Sequence, residues 1–129
     1  MTKTDLASYR QKLVALQHRL SGDVSSLAEE ALNADEQASG NLSHLPLHPA
    51  DLGSDNFEQQ ITLTLLESEG QTLAETAAAL DRIDENTFGR CEQCQAEIPK
   101  PRLEALPYAR HCIECARRLE REGRWAGQP

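Results

Sequence analysis

Apolar residues in the first third of the chain recur at Leu6, Tyr9, Leu13, Leu16, Leu20 and Leu27. This alternating spacing of three and four predicts a helix over 5–34 with a coiled-coil seam. Thr2 and Asp5, three residues apart, make a capping pair at its start. Ser21-Gly22-Asp23 weakens its middle, and the seam resuming at Leu27 predicts a bend there and not an end. Residues 38–53 break the pattern: Ser39, Gly40, Asn41, Ser43, Pro46, Pro49 and Gly53 are turn formers. A second helix is expected from about Asp55, capped by that carboxylate with Glu58 reciprocating. Its seam is read as Leu63, Leu66, Leu73, Ala77 and Leu80, helped by Ile61 and Ile83, with Gly70 a soft point. The helix should stop by Phe88-Gly89, where glycine tolerates a left-handed turn. Two helices of about 30 residues, each about 45 Å long, most simply form an antiparallel hairpin. Its tip is then the loop at about 38–53.

Composition supports thin helical seams over a thick core: eighteen leucines stand against five aromatics in 129 residues. No apolar run approaches the ~18 residues of a membrane span, and Met1-Thr2-Lys3-Thr4-Asp5 leads into no signal-peptide stretch. The expectation is a soluble, cytoplasmic protein. The formal charge of −8 is unevenly spread, because Lys and Arg are absent between Arg19 and Arg82 while 12 acids fall there. Phosphate binding needs cations, so this stretch does not wrap nucleic acid. The mild basic surplus after residue 90 falls short of a basic footprint.

All four cysteines lie in one segment: Cys91-Glu92-Gln93-Cys94, seventeen residues, then Cys112-Ile113-Glu114-Cys115. The paired C-x2-C spacing is that of a zinc site, two knuckles giving four thiolates to one closed tetrahedral ion. Two disulfides suit a secreted chain, and a redox pair needs one knuckle and leaves the other unexplained. Iron fits the same S4 cage. The segment is too short to bury a core, so metal binding should drive its folding. A terminal helix is expected from near the second knuckle to about Gly123; Arg117, Arg118, Arg121 and Arg124 could touch phosphate, but a solvated face interrupted by Glu120 and Glu122 is the favoured reading. The fold expected is mainly α: an antiparallel coiled-coil hairpin (1–88), then a four-cysteine zinc finger with a terminal helix (89–129).

The segment from Phe88-Gly89-Arg90-Cys91 to Cys115 resembles the DksA/TraR family of bacterial zinc-finger proteins. Beyond the cysteines, Ile98, Arg102 and Pro107 keep the family's spacing, and Arg102-Leu103-Glu104-Ala105 looks like its run. The resemblance implies binding to RNA polymerase, with the coiled coil entering the secondary channel and acidic tip residues approaching the active centre. Where the best-known member carries Asp-x-x-Asp-x-Ala, this chain reads His48-Pro49-Ala50-Asp51-Leu52-Gly53. Asp51 matches the second Asp, His48 replaces the first, and Gly53 the Ala. This wording is similar to a stress-protein branch of the family.

Other candidates carry less. His44 and His48 with Asp51 are read as solvated groups and not as a second metal site. Asp51 is balanced between a turn-stabilising bond and a functional role. Leu42, Leu45 and Leu47 either close the tip or meet a partner, Trp125 covers apolar surface, and His18 and His111 are read as surface residues, with a hydrogen bond near the thiolates the alternative for His111. No nucleophile has a partner base and no glycine-rich phosphate loop exists, so an enzyme is not expected. The sequence thus points to a monomeric transcription regulator that binds RNA polymerase, with one structural zinc and no sequence-specific DNA reading. The competing class is a zinc-stabilised stress or interaction protein with another partner.

Overall fold

The computed structural model describes the backbone of residues 1–42 and 49–123, and the side chains of 1–33 and 56–123. The fold is mainly helical, in the order α1 (Lys3–Leu42), α2 (Pro49–Asp84), α3 (Lys100–Ala105) and α4 (Ile113–Arg121). The two long helices form the antiparallel coiled-coil hairpin, and α3 and α4 belong to the C-terminal four-cysteine segment. No helix among the described residues is long and apolar enough to cross a membrane.

The start of α1 follows the sequence reading. Thr2 N–H donates to Asp5 Oδ2 at 3.3 Å, and Asp5 N–H donates to Thr2 Oγ1 at 3.1 Å, the reciprocal bonds of a capping box. These bonds with Thr2, first from its backbone and then from its side chain, hold the Asp5 carboxyl below its ordinary value. A carboxyl lowered by folding stabilises above the unfolded value of about 3.9, and the contribution disappears as pH falls through the folded value. Thr2→Ala should therefore raise the Asp5 titration midpoint toward that of a free Asp. Its stability deficit against wild type should shrink on acidification below about pH 4. Carboxyl-carbon NMR across a pH series, with parallel melts, checks both.

Several expected boundaries move. Helix α1 continues to Leu42 and α2 already begins at Pro49, so both helices enter the stretch expected to be a loop over 38–53. A helix already nucleated gains one bond per added residue, which carries it through turn formers such as Ser39 and Gly40. Proline is at home in a first helical turn, where its missing N–H has no partner to lose. Asp55 accordingly sits inside α2 and does not cap it. At its other end α2 stops at Asp84, earlier than expected. Asn86 takes the left-handed conformation (φ 62°), its N–H reaching Ile83 O at 3.2 Å and the Thr87 N–H reaching Arg82 O at 2.9 Å. That pair of bonds closes the last carbonyls of a helix, and asparagine serves where glycine is the usual residue.

The molecule divides into two compact units, Met1–His18 with Gln71 onward, and Arg19–Gly70. In the first, Tyr9 and Leu13 of α1 share a buried cluster with Ala79 and Ile83 of α2 and with Phe88, Cys91, Ile98, Leu103, Ala109 and Cys115. The Tyr9 and Phe88 rings lie 5.4 Å apart in a tilted pair, and Arg10 bonds Asp84 across the helices. The base of the hairpin and the cysteine segment therefore share one core. In the second unit Leu20 is buried, with Val24, Leu27, Thr62 and Leu66 half-buried.

The α1 seam is as predicted: Tyr9, Leu13 and Leu20 are buried, and Leu6, Leu16 and Leu27 half-buried. The α2 seam differs. Its inward positions run through Gln59, Thr62, Leu66, Glu69, Leu73, Thr76, Leu80 and Ile83, spaced alternately by three and four. Leu63 and Ile61, expected on the seam, are 46% and 44% exposed. Thr76 is fully buried and returns its hydroxyl to Thr72 O at 2.8 Å. A second face of α2, carrying Glu75, Ala79 and Arg82, serves the cysteine segment.

Candidate metal centre

The first knuckle is a tight backbone hairpin. Gly89 leads into it with φ 85°, and an added Cβ there would collide with Met1 Cε. Ile98 N–H donates to Gly89 O at 2.8 Å, and Cys91 N–H to Ala96 O at 2.8 Å, framing an isolated antiparallel bridge between Arg90 and Glu97. Gln95 takes φ 64° at the turn, its N–H donating to Cys91 O at 3.0 Å. This closure brings Cys91 and Cys94 round toward one point. The second knuckle opens α4, with Cys112 at the N-cap position and Cys115 in the first turn. Gly123 (φ 70°) follows the end of α4, as the sequence reading required.

The helix α3 went unread in the sequence. Its signal is Pro99-Lys100-Pro101, with Pro101 in the first turn. It buries Leu103 completely and aims Arg102, whose Nε–H donates to His111 O at 2.8 Å. Helix α2 grips the same approach to the second knuckle. Arg82 is almost entirely buried and donates to Tyr108 O at 3.3 Å and Ala109 O at 3.5 Å. Arg110 Nε bonds Glu75 Oε2 at 2.7 Å, and its Nη1 lies 3.9 Å from Glu92 Oε2 on the first knuckle. Glu92 N–H donates to Arg110 O at 3.0 Å, stitching the knuckles together through the backbone. His111 was expected on the surface and is instead 3% exposed, where burial favours its neutral form.

The sulfurs of Cys91, Cys94, Cys112 and Cys115 all lie within 4.8 Å of one another, and Cys94 Sγ is 3.8 Å from Cys112 Sγ. Tetrahedral zinc with Zn–S bonds of about 2.3 Å requires sulfur separations of about 3.8 Å. A disulfide would need about 2.05 Å, and none of the four is so paired. Crowding the four sulfurs makes their ionisation depend on a cation. Burial pushes the Cys91 thiol up, but backbone N–H groups of Cys94, Cys112 and Gln93 outweigh it and hold the thiol at about 6. Cys115 is pushed up to about 12, first by its hydrogen bond with Cys112 and then by burial. Four thiolates in one cage repel each other unless a divalent ion offsets them, which is what a structural zinc supplies. Among the described residues no other group of His, Cys, Asp or Glu is placed to hold a metal. Of the predicted tip residues, His48 lies outside the described residues, and Asp51 falls in the first turn of α2 and not in a loop, its side chain outside the described ones.

Comparison with known proteins fits this geometry. Residues 86–121 match the prokaryotic dksA/traR C4-type zinc finger. General stress protein 16O of Bacillus subtilis is 33% identical over 93% of this chain and 71% of its own length. The RNA polymerase-binding transcription factor DksA of Escherichia coli is 29% identical over 98% of this chain and 80% of its own. The structure of transcription factor DksA2 from Pseudomonas aeruginosa superposes with a TM-score of 0.75 at 27% identity, over 96% of this chain and 89% of that one. With the four cysteines converging as a C4 finger requires, the cofactor is one structural zinc, and the chain belongs to the DksA/TraR family of zinc-finger proteins.

Proposed function

We propose that this protein is a cytoplasmic transcription regulator that binds RNA polymerase as a monomer, through protein contacts and without reading DNA sequence or catalysing a reaction. Cys91, Cys94, Cys112 and Cys115 ligate the zinc, which holds the finger against the base of the hairpin. The hairpin tip, with Asp51 and His48, enters the secondary channel and carries the activity. The observation that supports this most is the likeness to DksA2 over nearly the whole chain, hairpin and finger together. The acidic stretch between Arg19 and Arg82 adds to it, since such a surface suits a cationic or metal-bearing cleft better than a nucleic acid.

The test is transcription by polymerase from the same organism, comparing wild type, Asp51→Asn and His48→Asp at equal polymerase occupancy. Asp51→Asn should lose most of the regulatory effect while melting like wild type. His48→Asp should alter the effect and its dependence on pH near neutrality, because an imidazole titrates there and a carboxylate does not. An Asp51→Asn protein that binds and regulates normally reduces the tip to a turn. A second reading has its own support in the likeness to general stress protein 16O: a zinc-stabilised stress protein whose partner is not polymerase. Failure of the wild type to bind polymerase would favour it.

A further inference from the structure

The described part of α2 in the unit Arg19–Gly70 carries an apolar ridge with no partner among the described residues. Phe57, Ile61 and Leu65 are 68%, 44% and 46% exposed. Their spacing of four places them side by side along one helical ridge over about two turns. The same row of spacing four turns toward the seam at half-buried Glu69, while Phe57, Ile61 and Leu65 stay exposed. Gln60, Thr64 and Ser68 line one side of the ridge without charge, and exposed Glu58 borders the other. Thr64 returns its hydroxyl to Gln60 O at 2.9 Å, which leaves its methyl group for the outside. Isolated exposed leucines need no explanation, but an apolar ridge holding an exposed phenylalanine and two aliphatics marks an interaction surface.

The surroundings of the ridge select its occupant. Residues 19–70 hold Arg19 as their one Lys or Arg against ten Asp and Glu. A second copy would set two such acidic surfaces against each other, and like charges across an interface oppose association. Three side chains on one helix also fall far short of the ~1,200–2,000 Å² that a stable dimer buries. A groove with an apolar floor and Lys or Arg along its edges satisfies both features at once, the floor taking the ridge and the edges taking carboxylates such as Glu58 and Glu67.

We propose that Phe57, Ile61 and Leu65 form a docking ridge for such a basic-edged apolar groove on RNA polymerase, separate from the tip. This rests on the polymerase reading above and adds an anchoring surface to it. The ridge sets how tightly the chain is held, and the tip sets what the held chain does.

The experiment measures binding of the zinc-loaded chain to purified core RNA polymerase from the same organism. Its variants are Phe57→Gln/Ile61→Gln/Leu65→Gln and, as the apolar control, Phe57→Leu/Ile61→Leu. The glutamine variant should bind about 10- to 100-fold more weakly, as when central anchors of an interface are lost, with helix content and zinc content unchanged. The leucine control should stay within about threefold, because apolar contact is kept. Wild-type affinity should fall as salt rises, since the groove's edges meet carboxylates. Equal binding by wild type and the glutamine variant overturns the ridge while leaving the polymerase reading intact, and so does affinity indifferent to salt. A concentration-dependent dimer in sedimentation that the glutamine variant abolishes would assign the ridge to a second copy and overturn it too. Absence of wild-type binding overturns the polymerase reading and the ridge together.

Discussion

Stripping the zinc from the purified chain should unfold the segment after Gly89 and leave most of the helical signal in place. Structural zinc binding to four thiolates contributes about 10–16 kcal/mol of apparent free energy, comparable to or larger than the whole stability of a small domain. The segment has little to replace it. Helices α3 and α4 are 6 and 9 residues long, well below the ~12–15 at which even good sequences become marginal alone. Its buried side chains, including Cys91, Ile98, Leu103 and Cys115, are brought together by the knuckles themselves. Helices α1 and α2 run for 40 and 36 residues and keep their seam.

The effect should not stop sharply at residue 88. The finger covers Ala79 and accepts the hydrogen bonds of Arg82, so its loss uncovers that face of α2 and takes away the Tyr108 and Ala109 carbonyls. The lost apolar burial and hydrogen bonds should loosen the base of the hairpin locally. We propose that residues 1–88 and 89–129 respond as two parts joined by this shared core. Amide NMR on chelation, or with Cys112→Ser, should show collapse of dispersion over 86–121, broadening around residues 79–84, and native shifts over 56–70. Loss of all helicity, or a finger that keeps its fold without metal, would contradict it.

The features legible in the sequence were those with a local chemical signature. Paired cysteines, the Thr2–Asp5 box and the leucine seam of α1 each announce themselves within a few residues. What escaped was written in residues that bury for non-local reasons. Gln59, Thr62, Glu69 and Thr76 occupy seam positions of α2 that an apolar search passes over. Ile61 and Leu63 are apolar and so read as seam residues, and the structure turns both outward. Glu69 shows how strongly register is imposed by the rest of the helix: its Oε2 is buried without a hydrogen-bond partner. The face of α2 that holds the finger is likewise hidden, because Glu75 and Arg82 look like solvent residues until Arg110 and the carbonyls of Tyr108 and Ala109 arrive from far along the chain. The cysteines fixed which residues meet, and these charged side chains fix where the finger sits.

Two leucine-to-alanine substitutions should separate a true seam position from one that only looks apolar. Leu13 has no exposed surface and sits in the cluster joining Tyr9, Ala79 and Ile83 to the finger. Its neighbours come from α1, from α2 and from the chain after residue 87, so no single element can shift inward to refill the space. A Leu→Ala change in such a setting loses both the transfer free energy of the removed methyl groups and the contacts around the cavity, typically about 2–5 kcal/mol. Leu13→Ala belongs in that range. Leu63 is 46% exposed, and its removal takes away surface that already meets water. Alanine is as good a helix former as leucine, so Leu63→Ala should change stability by no more than about 0.5 kcal/mol. Denaturant melts of the zinc-loaded proteins, fitted for midpoint and slope, measure both. Equal losses would place Leu63 on the seam after all. A small loss at Leu13 would mean that the finger and the hairpin base do not pack as one core, and the same result would remove the reason for expecting chelation to loosen residues 79–84.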